Sequence, residues 1–122
     1  MALVLNAPLG GVITDEGRVD AKALAHQIDV SVPTVARLLG KSARFLHDYP
    51  TAKSAQRRAL AFVDRMNDLA VELGGLKFAV AWLKTPMREL GERTPLDILE
   101  GDDAAFTTGI GFIDDFLNAV PD

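Results

Sequence analysis

The chain has 122 residues, 48% of them hydrophobic, enough for one compact domain or for two small helical units sharing a core. It contains no cysteine, which excludes disulfides, thiolate chemistry and thiolate metal sites and fits a reducing compartment. The net charge of −4 divides unevenly: residues 1–60 carry eight Lys/Arg against five Asp/Glu, and residues 61–122 carry five against twelve, which suggests two different partners.

Residues 1–18 read as an N-terminal arm with a turn at Asp15-Glu16-Gly17. The opening MALVLNAPLG has no basic leader and breaks at Pro8 and Gly10-Gly11, so it makes a poor signal peptide. No apolar run approaches the ~20 residues of a membrane helix, and a cytoplasmic protein with no membrane partner is expected.

Residues 19–50 read as a helix-turn-helix-like region. Asp20 can cap a helix whose inner face is Leu24, Ala25 and Ile28, and Asp29-Val30-Ser31 breaks the periodicity. Ser31 then caps a second helix with Pro33 in its first turn, Val35, Leu38 and Leu39 inside, and Gly40 at its end. Asp29 stands where a turn glycine is usual and tolerates the left-handed conformation better than most residues. A third helix, Ser42 to His47, stops ahead of Tyr49-Pro50.

Two uses fit this corner. In one, Ser31, Thr34 and Arg37 reach DNA phosphates or base edges, with Lys41 and Arg44 on flanking phosphates. In the other, the corner serves packing or self-association alone.

Residues 51–122 read as a long helix followed by a C-terminal helical unit. The helix runs from about Thr51 to Leu73 on the stripe Ala59, Phe62, Val63, Met66, Leu69 and Ala70, and Gly74-Gly75 ends it. Leu76 to Leu83 is a further helix. Thr85-Pro86 and Thr94-Pro95 each place a capping hydroxyl before a proline, predicting two short helices separated at Gly91, with Trp82 as their core anchor. Asp97 adds a short-armed capping box to the second. A last helix starts at Asp102 or Asp103 and carries Phe106, Ile110, Ile113, Phe116 and Leu117, weakened by Gly109 and Gly111 at roughly 1 kcal/mol each. The expected fold class is all-α, a helix-turn-helix-containing half packed with a C-terminal multi-helix unit.

The segments Trp82-Leu83-Lys84-Thr85-Pro86, Leu90-Gly91 and Arg93-Thr94-Pro95-Leu96-Asp97 resemble the MbcA/ParS/Xre antitoxin family, and the resemblance extends over most of the chain beyond about residue 18. Asp29 in place of the turn glycine is a departure from the family pattern. The resemblance implies the antitoxin of a type II toxin–antitoxin system, a homodimer within a hetero-oligomer. Its partner would be a RES-domain toxin that consumes NAD or transfers ADP-ribose from it to a protein. It also implies inhibition by a C-terminal end that obstructs the toxin's NAD pocket, and repression of the operon through operator DNA.

The acidic end fits such a contact, because a pyrophosphate pocket offers anion donors. Asp114, Asp115, Asn118 and Asp122 can satisfy those donors, while Phe112 and its neighbours enter an apolar groove. Phe116 and Leu117 have a second use, closing the chain's own core. Trp82, Lys84, Arg88 and Arg93 complete the expected toxin-binding set. Exposed ion pairs made by those three cations would be worth only ~0–1 kcal/mol, so they bear on specificity more than stability.

The two histidines, His26 and His47, have no carboxylates at ligand spacing, and Gly74-Gly75 and Gly109-x-Gly111 lack the lysine and context of a phosphate loop. No enzyme, metal or cofactor is expected. The runner-up reading is a stand-alone helix-turn-helix transcriptional regulator with an oligomerising C-terminal half, and a less favoured one is a small-molecule-sensing helical domain.

Overall fold

Side-chain oxygens set where most helices begin in the computed structural model, which describes residues 7–119. Asp20 Oδ1 accepts from the amides of Lys22 and Ala23 at 2.9 and 3.0 Å and starts α1, Ala21–Gln27. Ser31 Oγ accepts from the Thr34 amide at 3.2 Å and starts α2, Val32–Leu39, with Pro33 where no amide partner is needed. Between them Asp29 adopts φ 56°, the left-handed turn expected of it. Gly40 ends α2 at φ 73°, and Ser42 starts α3, Ala43–Asp48.

The longest helix, α4 (Gln56–Leu73), begins later than the expected Thr51 because Lys53–Ala55 form a tighter 3-10 turn. Gln56 is buried and clamps the backbone of Val19. Its Oε1 accepts from Val19 N at 2.7 Å, and its Nε2 donates to the carbonyls of Val19 and Ala52, each at 3.1 Å. Part of the segment read as an arm, residues 7–18, also packs against the domain. Leu9, Val12 and Val19 are buried, and Leu9 N donates to Asn67 Oδ1 on α4 at 2.8 Å. Burial of three aliphatic side chains removes apolar surface that an arm would leave in water. Residues 1–6 of that expectation lie outside the described residues.

Gly74 and Gly75, at φ 91° and 152°, turn the chain into α5, Leu76–Leu83. The two Thr-Pro pairs then diverge. Thr94 makes the expected complete capping box: Asp97 N donates to Thr94 Oγ1 at 3.0 Å and Thr94 N to Asp97 Oδ2 at 3.1 Å, starting α6, Pro95–Leu99. Thr85 starts no α-helix. Its hydroxyl donates back to the Ala81 carbonyl at 2.6 Å, so it finishes α5 and is not available as a cap. Met87 is extended and pairs with Arg93, closing a loop that holds a 3-10 turn, Arg88–Leu90, and left-handed Gly91 and Glu92, both at φ 66°.

The last helix is α7, Asp103–Ala119. Gly109 does more than weaken it. A Cβ there would stand 2.6 Å from Leu99 Cδ2, so the glycine lets α6 and α7 approach closely. α4 packs against α2, α5 and α7, and its Phe62, Met66 and Leu69 share one core with Leu38, Leu83, Leu99 and Ile113. The fold is all-α, with two isolated β-bridges and no strand among the described residues. No helix among them is long and apolar enough to cross a membrane.

Candidate partner-binding surface

The C-terminal surface is organised by one aromatic cluster. Trp82, near the end of α5, stacks on Phe112 with centroids 5.8 Å apart and meets Phe116 at 5.0 Å, both from α7. All three are half-buried, so the cluster supports α7 from beneath while leaving aromatic edges at the surface. Phe78, one helical turn before Trp82 on α5, adds a ring that is 54% exposed.

The expected toxin-binding residues separate into two groups. Trp82 and Phe112 come together, and Asp115 and Asn118 are exposed on the same helix as Phe112. Three others, Asp114, Lys84 and Arg93, find partners inside the chain. Asp114 takes a two-pronged pair from Arg65 of α4, at 3.1 Å from Nε and 3.3 Å from Nη2. Lys84 Nζ donates to the Asp29 carbonyl at 2.8 Å, tying the end of α5 to the α1–α2 turn. Arg93 Nη2 reaches the Asp97 carbonyl at 3.5 Å, while Arg88 is exposed on its 3-10 turn. Asp122 lies outside the described residues.

The hydrogen bond that Arg65 donates to Asp114 holds its guanidinium above its ordinary pKa. Nearby, Asp68 is pushed up, first by desolvation and then by the Asp64 carboxylate. This end of α4 and α7 therefore forms an acidic groove lined by Asp68, Glu72, Asp114 and Asn118 with Val71 and Leu117.

The residues expected to touch DNA share the outer face of α2 and α3, but most are engaged. Ser31 Oγ and Thr34 Oγ1 lie 3.0 Å apart, and Thr34 Oγ1 accepts from Arg37 Nη2 at 3.3 Å. Arg37, 57% exposed, also makes a 2.6 Å ion pair from Nε to Glu100 beyond α6. Lys41 Nζ sits 5.6 Å from the Phe45 ring centre, and Arg44 makes a long 4.0 Å pair with Asp48.

A residue outside both expected sets joins the two halves. Arg58 of α4 is buried, with only 6% of its side chain exposed. Its Nε donates to the Leu38 carbonyl at 2.9 Å, and its Nη2 faces the carbonyls of Arg37, Leu99 and Gly101 at 3.2, 3.0 and 3.1 Å. Those acceptors surround the C-terminal ends of α2 and α6, where carbonyls lack intrahelical partners and a cation is favoured. The guanidinium also lies over the Phe106 ring, 4.4 Å from its centroid. Burial lowers the Arg58 pKa, and Asp103 opposes that effect. The signal for this role is positional: Arg58 falls one turn before Phe62, on the apolar stripe of α4.

No family model, curated protein or solved structure matches the chain.

Proposed function

We propose that this chain is the antitoxin of a type II toxin–antitoxin pair, acting in the cytoplasm. In this reading it binds a RES-domain toxin directly and covers the toxin's NAD site with its C-terminal segment. The observation that carries the reading is the aromatic cluster of Trp82, Phe112 and Phe116. The Trp-Leu-x-Thr-Pro segment that resembles the antitoxin family thereby braces the helix whose exposed Asp115 and Asn118 lead into the acidic end of the chain. A braced helix loses little conformational freedom when a partner engages it.

The same reading includes a homodimer that contacts operator DNA through the outer face of α2. The Arg37–Glu100 pair places a carboxylate beside that face, which opposes a phosphate there.

Co-expression with a RES-domain toxin, taken from the neighbouring gene if that gene encodes one, followed by purification and an NAD-consumption assay, tests the proposal. The two proteins are expected to co-purify with NAD consumption suppressed. Deleting Asn118–Asp122 is expected to restore consumption while circular dichroism still reports a folded chain. Undiminished inhibition by the truncated chain would refute occlusion by the tail. Failure to co-purify, together with a salt-sensitive shift of promoter DNA, would instead support a stand-alone regulator.

A further inference from the structure

A cleft of about 180 Å³ opens where the end of α2, the start of α4 and the start of α7 meet, lined by Gly40, Lys41, Ser54, Arg57, Arg58 and Asp103 among others. Three cations and one carboxylate face it, in a chain whose net charge is −4. At ~30 Å³ per water, the space takes a tetrahedral oxyanion with a few waters.

The donors are arranged around a single oxygen. Asp103 Oδ1 accepts from Arg57 Nη2 at 3.0 Å and from Arg58 Nη1 at 3.4 Å. Nη1 of Arg58 carries two N–H donors, and among the described residues this long bond is its one protein acceptor, although the side chain is 6% exposed. Its Nε and Nη2 are committed to four backbone carbonyls, so the guanidinium cannot turn away. The cleft reaches Nη1 because position 40 is glycine. A Cβ there would stand 2.8 Å from that nitrogen. Asp103 itself is 76% exposed, and among the described residues its carboxylate is held by these two contacts.

We propose that this cleft is an anion site for a phosphate group, in which Asp103 occupies the place of a phosphate oxygen and is displaced by the ligand. Arg57 and Lys41 would supply charge, the fixed Nη1 of Arg58 direction, and the Ser54 hydroxyl a further donor. The site does not depend on the toxin-binding reading. Its phosphate comes either from a small molecule or from a nucleic-acid backbone.

The test titrates the full-length protein and three variants, Asp103→Asn, Arg57→Gln and Lys41→Gln, with inorganic phosphate and with pyrophosphate at constant ionic strength set by chloride. Calorimetry and thermal shift are the readouts. Arg58 is left intact because it holds the fold. Saturable one-to-one binding is expected, about threefold tighter in Asp103→Asn and about threefold weaker in each cation variant, in line with single exposed charge contacts. A random-sequence DNA duplex is the second probe. Duplex binding that follows the same order of variants assigns the phosphate to a nucleic-acid backbone, and an indifferent duplex assigns it to a small molecule. No saturable phosphate binding in Asp103→Asn, or equal affinities across the four proteins, overturns the proposal.

Discussion

The guanidinium of Arg58 meets four backbone carbonyls around the ends of α2 and α6; the Arg37 carbonyl also accepts from Gly40 N at 3.2 Å, whereas those of Leu38, Leu99 and Gly101 have Arg58 as their donor among the described residues. Arg58→Met keeps the apolar stem but leaves buried acceptors unpaired, so a loss of about 3 kcal/mol is expected in urea unfolding. The adjacent Arg57→Gln, at a side chain 68% exposed, is expected to cost no more than about 0.5 kcal/mol. Equal losses for the two would reject the cap assigned to Arg58. Asp68 gives a second residue-scale expectation, with its sign set by linkage. Desolvation and Asp64 raise its folded pKa, so folding is helped by the protonated form below the ordinary aspartate range. That help is lost as pH rises through the raised value. Asp68→Asn should therefore melt higher than the parent near neutral pH, with the difference shrinking as pH falls below the ordinary aspartate value. A difference that grows on acidification would reverse the assignment.

Among the elements, α7 contains two glycines of opposite meaning. Gly109 faces Leu99 with no room for a Cβ, whereas Gly111 has nothing within 4 Å of the place where one would go. Gly111→Ala is expected to stabilise the chain by about 0.5–1 kcal/mol through helix propensity and unfolded-state entropy. Gly109→Ala is expected to destabilise it by about 1–3 kcal/mol by forcing α6 and α7 apart. Denaturant midpoints of the two variants should move in opposite directions; a shared direction would mean the α6–α7 contact is not close. Helix starts were legible wherever a capping oxygen acts on the next few amides, as at Asp20, Ser31, Ser42 and Thr94, because that chemistry is local. Thr85 was misread because the same Thr-Pro pair also suits the end of a helix, and only the preceding carbonyl of Ala81 decides. The engagement of Asp114 by Arg65 and the docking of Leu9 and Val12 depend on which helices become neighbours, and no local pattern carries that information. The contacts of the candidate residues likewise depend on neighbours no local pattern gives: Trp82 and Phe112 meet across α5 and α7, and Lys84 reaches the Asp29 carbonyl.

At the scale of the whole molecule, the division read at residue 50 is not a break in the core. Polar contacts cross it at several places, among them Leu9 to Asn67, Gln56 to Val19, Arg58 to the end of α2, Arg37 to Glu100, and Lys84 to the α1–α2 turn. Beneath them Leu38 and Phe62 belong to the same buried cluster. Residues 1–50 alone would expose the face of α2 that α4 covers, and the Leu38 carbonyl would lose its donor. A segment of that size cannot bury enough apolar surface to offset the ordering of its backbone. The whole chain is therefore expected to unfold in one transition, with Trp82 emission, which reports the C-terminal half, superimposing on far-ultraviolet circular dichroism in urea. The excised residues 1–50 should show coil-like dichroism under the same conditions. A fragment that stays helical with its own cooperative melt, or a Trp82 transition displaced from the helical one, would mean that the halves fold separately. Any effect of a partner at α7 on the α2 face would then need a route other than their shared core.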